Sequence, residues 1–276
     1  MALIQVNYLS KALFRTVTLN VILPADKLSF AEGRYAMKPG QKFPTLYLLH
    51  GLLGNYTDYV SNTRIQKWAE ARNLAVVMPS GDNSFYINGL SANTDYETFI
   101  GEELPLVTRN MFPLSDRRED TFIGGLSMGG YGAIRNGLKY SRNFSRIAAM
   151  SPALVELDEG FISVAGENEV FGNIEEARKT DKNHFVALAD LLERVRTDPE
   201  EKLPEVWLSC GLSDHLITSA RLFRDELEKA GVALHYEEQP GGHEWDFWDS
   251  QLKKIIDWLP LDHADMGLGS GNVTKK

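Results

Sequence analysis

Cysteine is almost missing: Cys210 is the single one among 276 residues. A disulfide within the chain is excluded, and so is a metal site built from paired thiolates. Cationic excess is missing too. The 29 Lys and Arg face 38 Asp and Glu, a formal net charge of −9. Such a surface repels phosphate backbones, and no basic stripe relieves it, so nucleic acid is not an expected partner. No stretch approaches the roughly 18 apolar residues of a membrane helix. The first residues, MALIQVNYLSKALFRTVTLNV, alternate apolar and polar side chains. They lack the basic region and apolar core of a secretory leader, which leaves a cytoplasmic location as the expectation. No repeat and no low-complexity tract is visible.

What is present points to layered α/β architecture. Residues 4–8 and 16–23 alternate as strands do, and a polar loop is expected over 31–43. Nearly continuous apolar runs follow at 45–49, 74–78, 121–123, 146–150 and 206–210. Runs of this kind suit strands buried on both faces of a parallel sheet. Helical patterns lie between or after them, at 64–72, 96–112, 128–140, 219–230 and 247–259, with a last strand at 234–238. The alternation predicts a doubly wound, mostly parallel sheet with N-terminal antiparallel strands. It breaks over about 153–203, where 182–196 reads as helix and no strand stands out. An insertion there would lie over the carboxyl ends of the strands, where such sheets bind ligands. One domain over 1–262 and a flexible tail over 263–276 complete the expectation. A chain of this length buries roughly three quarters of its unfolded surface.

The stretch Gly125-Leu126-Ser127-Met128-Gly129 follows a strand-like run and opens a helical pattern. It matches G-x-S-x-G, in which a serine sits on a strained strand-to-helix turn that lifts its hydroxyl above the sheet. Glycine two positions before and after avoids collision with the neighbouring strand and helix. Gly130 and Gly132 are expected to let the helix pack closely on the sheet. The spacing fails both the dinucleotide pattern and the P-loop pattern. The contrasting reading is a glycine-rich turn with a bystander serine.

A serine hydroxyl needs a base to take its proton, and the base needs an acid to hold its tautomer. In strand-turn-helix sites of this type the chain order is serine, acid, histidine. Asp214, on the loop after the 206–210 strand, is the candidate acid; its alternative role is to cap the helix that follows. His243, in Gln239-Pro240-Gly241-Gly242-His243, is the candidate base, and His215 is its rival. His50, His184, His235 and His263 lie elsewhere along the chain. An oxyanion hole would combine the Met128 N–H with one from the loop after the 45–49 strand, where Leu52 is the candidate. Tyr86 and Trp245 are candidates for lining the site. No metal or organic cofactor is called for. Cys210 sits in an apolar strand with nothing to activate it.

With these pieces assembled, the chain resembles the esterase D-like branch of the α/β-hydrolases, and most of all the bacterial tributyrin esterases. The resemblance runs from about residue 45 to 258. It rests on LLHGLLGN, PSGDNSFYING with YETFIGEELP, FIGGLSMGGYGA, CGLSD and GGHEWDFW. It implies the α/β-hydrolase fold and a serine carboxylesterase favouring short acyl chains, with Ser127, Asp214 and His243 as triad and a small-molecule ester as substrate. Relatives include S-formylglutathione hydrolases, feruloyl and acetyl-sugar esterases, and mycolyltransferases. Thioester hydrolysis and acyl transfer on the same triad are therefore the alternatives, and a non-catalytic binding protein on this scaffold is the contrasting reading. Relatives often self-associate, which makes a homo-oligomer an open expectation.

Overall fold

Strands without a single exposed side chain form the centre of the sheet. In this computed structural model, which describes residues 1–29, 33–154 and 170–261, β5 (Thr45–Leu49), β6 (Ala75–Pro79) and β7 (Thr121–Leu126) are buried throughout. β8 (Arg146–Met150) and β9 (Glu205–Gly211) are buried beyond their first residue. Both faces of a parallel strand are covered by helices, so unbroken apolar runs are what such strands require. β10 (Leu234–Gln239) extends the parallel set beside β9.

On the far side, β1 (Ala2–Ser10) and β2 (Arg15–Leu23) pair antiparallel, and β2 pairs antiparallel with β6. The strand order is β1-β2-β6-β5-β7-β8-β9-β10. β1 alternates half-buried with exposed side chains, as suits an edge strand covered on one face. β4 (Arg34–Tyr35), inside the expected loop over 31–43, pairs antiparallel with β3 (Leu28–Ser29) just before it.

Two apolar layers sandwich the sheet. On one face lie α2 (Ile65–Ala71) and the last described helix, Trp245–Trp258, against Leu46, Leu48, Phe122 and Trp207. On the other lies Met128–Lys139, against Tyr47, Ile123 and Ile147. We number the remaining helices along the chain: α1 is Asp58–Asn62, α3 Tyr96–Thr98, α4 Leu104–Met111, α5 Met128–Lys139, α6 Ile174–Ala177, α7 His184–Thr197, α8 Ile217–Lys229 and α9 Trp245–Trp258. A π turn, Phe99–Glu103, joins α3 to α4, so the helix expected over 96–112 is continuous but widened at its middle.

The break between β8 and β9 is described from residue 170. There α7 packs along α5 and turns Ala187, Leu188 and Leu191 into the core, as a crossover between parallel strands must. Phe171 reaches the same side of the sheet as Phe85, with ring centroids 5.0 Å apart. The part of the expected insertion over 155–169, and the expected tail over 263–276, lie outside the described residues.

The chain moves from β5 to β6 in one direction, then returns across β5 to β7 and continues the other way. The crevice between diverging connections opens at the carboxyl ends of β5 and β7. In open α/β sheets this is where ligands bind.

His184, at the start of α7, is buried against the rings of Phe185 and Phe223. Burial pushes its pKa down to about 3 from an ordinary 6.5. The unfolded chain takes up a proton below about 6.5 that the folded chain refuses until about 3. The stability held by the neutral ring is thus complete above that window and falls as pH drops through it. Urea midpoints measured from pH 7 to 4 are expected to fall less steeply in His184→Leu than in the parent chain.

Candidate active site

Ser127 is the residue between β7 and α5, with φ 53° and ψ −119°. This is left-handed backbone in a non-glycine residue, and such strain persists only where the surroundings enforce it. They do so by close approach. A Cβ at Gly125 would stand 2.3 Å from the Gly129 carbonyl oxygen and 2.7 Å from that of Leu49. One at Gly129 would stand 2.2 Å from the Leu49 oxygen and 2.5 Å from that of His50. Backbone meets backbone here, so no rotamer change relieves the clash. The turn is pinned by Ser127 N–H donating to the Met150 carbonyl at 2.9 Å and by Ala153 N–H donating to the Ser127 carbonyl at 2.9 Å. A Cβ at Gly130 would stand 2.9 Å from Pro152 Cα and 3.2 Å from the carbonyl oxygen of Met150 on β8, so this glycine does let the helix approach the sheet, whereas Gly132 faces the ring of Tyr86, 2.5 Å from its would-be Cβ.

The structure brings three of the sequence-predicted residues together. His243 Nε2 lies 3.0 Å from Ser127 Oγ, and His243 Nδ1 lies 2.9 Å from Asp214 Oδ2. Asp214 can only accept when ionised, so Nδ1 carries the ring proton and Nε2 is free to accept from the serine. The loops bearing Asp214 and His243 touch directly. Ser213 N–H donates to the Gly241 carbonyl at 3.0 Å, an approach that a side chain at Gly211 would block. Trp248 stands edge-on to the imidazole, centroids 4.9 Å apart. His215, the rival base, is 68% exposed and sits beside the acid, not beside the serine.

Asp214 has a fully buried side chain. Desolvation raises its pKa, but hydrogen bonds from His243, the Leu216 N–H and the Ser151 hydroxyl outweigh it and hold the carboxyl below its ordinary value. The Leu216 N–H bond, 2.9 Å to Oδ1, enters the turn before α8. The same side chain thus shapes the helix entry and orients the imidazole. Cys210, next to this site on β9, is fully buried, and burial pushes its thiol up to about 12.

The loop after β5 comes within contact of the elbow because Gly51 has no side chain; a Cβ there would press on Leu126 and approach that of Ser127 at 3.6 Å. Among the described residues, neither the Leu52 nor the Met128 N–H donates to a protein acceptor. Both residues line a cavity of about 630 Å³ with Ser127 and His243. Two groups that sequence reasoning passed over hold this loop. His50 donates through Nδ1 to the Gly51 carbonyl at 2.7 Å, and its Nε2 accepts from the Gly81 N–H at 2.8 Å. Burial lowers its pKa, which keeps the ring neutral and the latch closed. Asn83 accepts from the Leu53 N–H at 2.9 Å. The only hint in the sequence was polar residues at the ends of two buried strands.

The expected lining by Tyr86 is corrected. Tyr86 is fully buried; its hydroxyl donates to the His50 carbonyl at 2.9 Å, and its ring packs under Gly132. Left-handed backbone at Phe85 and Tyr86 turns the tyrosine inward and leaves Phe85 on the cavity wall. Trp245 does line the cavity, anchored edge-on by Tyr59 and Trp248. Trp248 lines it as well, while Phe247 is core. Asp58, His215 and Glu244 form a polar rim.

Asp214, His215 and His243 also present three possible metal-ligand atoms within 4.8 Å of one another. His243 Nδ1 could bind a metal only by giving up the proton it shares with Asp214. Nε2 would then hold a proton and could not accept that of Ser127. Added Zn²⁺ is expected to inhibit any reaction that uses this imidazole, and His215→Ala to raise the inhibitory concentration several-fold; steady-state rates at graded Zn²⁺ check both.

Comparison with known proteins agrees with this architecture. A family profile described as "Putative esterase" matches residues 10–259. An acetyl esterase of Caldicellulosiruptor saccharolyticus is 36% identical over 269 residues, covering 94% of this chain and 98% of the relative. Among solved structures, FphF, a fluorophosphonate-binding serine hydrolase of Staphylococcus aureus, superposes with a TM-score of 0.81 at 29% identity, over 94% of this chain and 98% of that one. The S-formylglutathione hydrolase FrmB of the same organism gives 0.80 at 29% identity, with the same coverage. The fold is that of the α/β-hydrolases, and the chain belongs to this esterase family of serine hydrolases.

Proposed function

We propose that the chain is a carboxylesterase that hydrolyses short-chain acyl esters through an acyl-enzyme on Ser127. The observation that carries this reading is the unbroken hydrogen-bond path from Asp214 through His243 to Ser127, opening into a cavity. His243 takes the proton of Ser127 as Oγ attacks the ester carbonyl. The Leu52 and Met128 N–H groups, with no acceptor among the described residues, receive the oxyanion. His243 then gives its proton to the leaving alcohol. Water, deprotonated by the same imidazole, releases the acid.

The cavity walls argue for the substrate class. Phe85, Leu126, Met128, Trp245 and Trp248 offer an apolar surround for a small acyl group. Asp58 and Glu244 put negative charge at the rim, on a chain of net charge −9. A neutral alcohol, such as an acetylated sugar, meets no repulsion there; the carboxylates of a glutathione thioester do. The acetyl esterase relative points the same way. Likeness to FrmB favours thioester hydrolysis as the second reading. Transfer to an acceptor alcohol would use the same path, with the acceptor in place of water.

Ser127→Ala is expected to lower kcat on p-nitrophenyl acetate by at least about 10⁴-fold and to abolish fluorophosphonate labelling, with circular dichroism unchanged. Acetyl and butyryl esters are expected to exceed S-formylglutathione in kcat/KM by about tenfold. Added salt should narrow that gap by screening the rim. A thioester preference at low salt would select the second reading.

A further inference from the structure

Lys182 lies between α6 and α7, and the proposed mechanism does not use it. Its ammonium donates to the Phe171 carbonyl at 3.0 Å and to the Val170 carbonyl at 3.3 Å. Its own carbonyl accepts from the Tyr131 hydroxyl on α5. Asp181, one residue earlier, is held on the same helix. Its carboxylate accepts from Arg135 at 2.8 Å and from Lys139 at 2.7 Å, and its carbonyl accepts from Arg135 Nε at 3.1 Å. The guanidinium of Arg135 is fully buried and is also paired with Glu97 of α3 at 2.5 Å. A buried cation that loses its partner is costly, so these pairs fix the backbone of residues 181 and 182 against α5.

From that base Lys182 reaches back to the segment carrying Phe171. The Phe171 ring packs on Phe85, with centroids 5.0 Å apart, and on Tyr131 at 6.3 Å. Phe85 packs on Tyr131 at 5.9 Å, which closes a triangle of rings. Of these three, Phe85 lines the active-site cavity, and the other two stand behind it. Phe85 has φ 52°, so its surroundings decide where the ring points. A charged donor on two backbone carbonyls is a strong tether for the segment that presses on it.

We propose that Lys182 is a positioning residue for acyl-chain selection: anchored on α5 through Asp181 and Arg135, it holds Phe171 behind Phe85 and so limits the depth of the cavity. The inference rests on the esterase reading and deepens it, since it names what keeps longer acyl groups out. A methylene gained or lost in an apolar pocket changes kcat/KM by about 10-fold or more, so a small retreat of the Phe85 ring is readable in chain-length preference.

The readout is the ratio of kcat/KM on p-nitrophenyl hexanoate to that on p-nitrophenyl acetate, in which the fraction of active protein cancels. Phe171→Leu is expected to raise this ratio about tenfold. Lys182→Met keeps the aliphatic stem and removes the donors, and is expected to raise it about threefold. Lys182→Arg still donates, and is expected to stay within about twofold of the parent chain. Combining Lys182→Met with Phe171→Leu is expected to give no more than Phe171→Leu alone, because the lysine acts through the phenylalanine. The inference is overturned if Lys182→Met slows both esters alike and leaves the ratio unchanged, as a loss of fold alone would. It is overturned as well if the two substitutions multiply, or if the shift follows the size of the alcohol in a series of acetates. A parent chain that hydrolyses neither ester would instead remove the esterase reading itself, which keeps the two failures distinct.

Discussion

The site depends on one constrained residue, the left-handed serine between β7 and α5. Its conformation costs on the order of 1–3 kcal/mol, which the rest of the structure must offset. Two glycines make that possible by letting carbonyls of β5 and its exit loop approach α5 to distances at which any Cβ would collide. Strand, turn and helix are thus locked by contacts between backbones, which do not relax as side chains do. The serine oxygen is raised at the place where the connections from β5 and β7 diverge. The elbow and the crevice are two results of one packing decision. The topology opens a gap between neighbouring strand ends, and the glycines allow a side chain to stand in it.

Charge is distributed around the serine in a graded way. The carboxylate of Asp214 has no exposure, the imidazole of His243 keeps 26%, and the cavity lies beyond. A buried carboxylate without partners would take up a proton. This one stays ionised because donors surround it, and they come from different parts of the chain: His243 from the loop after β10 and Leu216 from the entry to α8. The hydrogen bonds that keep the charge also fix where it points. His243, the proposed base, is by contrast on a loop whose glycines bring it against the loop of Asp214 without burying it. A general base must face both its acid and the reacting atoms, so partial exposure is what its task demands.

How much of this was legible in sequence follows from the range of the interactions. Unbroken apolar runs gave β5 to β9 because burial on both faces leaves no polar position. G-x-S-x-G announced the elbow because the motif is contiguous in sequence, although the carbonyls its glycines admit come from β5 and its exit loop. Asp214 and His243 could be chosen by chain order and by their place at strand ends, and the structure puts their side chains within hydrogen-bonding distance. Tyr86 could not be placed, since its inward turn depends on a partner, Gly132, that lies 46 residues later. His50 looked like one histidine among six, and its role as a latch exists only when the loop bearing Gly81 folds beside it. Ser151 gave no signal at all: its N–H donates to the Ser209 carbonyl on β9, and its hydroxyl accepts from Trp248 on α9. Local sterics and long burial patterns are written in neighbouring residues. Roles built from three distant segments are not.

The same distinction separates reaction from substrate. The groups of the proposed mechanism stand at the carboxyl ends of β7, β9 and β10, where register leaves little freedom. The cavity wall is made of residues from loops that pack on one another: Phe85 after β6, Trp245 at the start of α9, Asp58 on α1, His215 after β9. None of these is required by the sheet. Phe85 holds its place through Tyr131 and Phe171, and Trp245 through Tyr59 and Trp248. Changing Phe85 therefore shifts an aromatic cluster that does not touch the hydrogen-bond path, whereas Trp248 packs on the His243 imidazole itself. Under the proposed function, the carboxylates of Asp58 and Glu244 at this cavity are what separates a neutral ester from an anionic thioester.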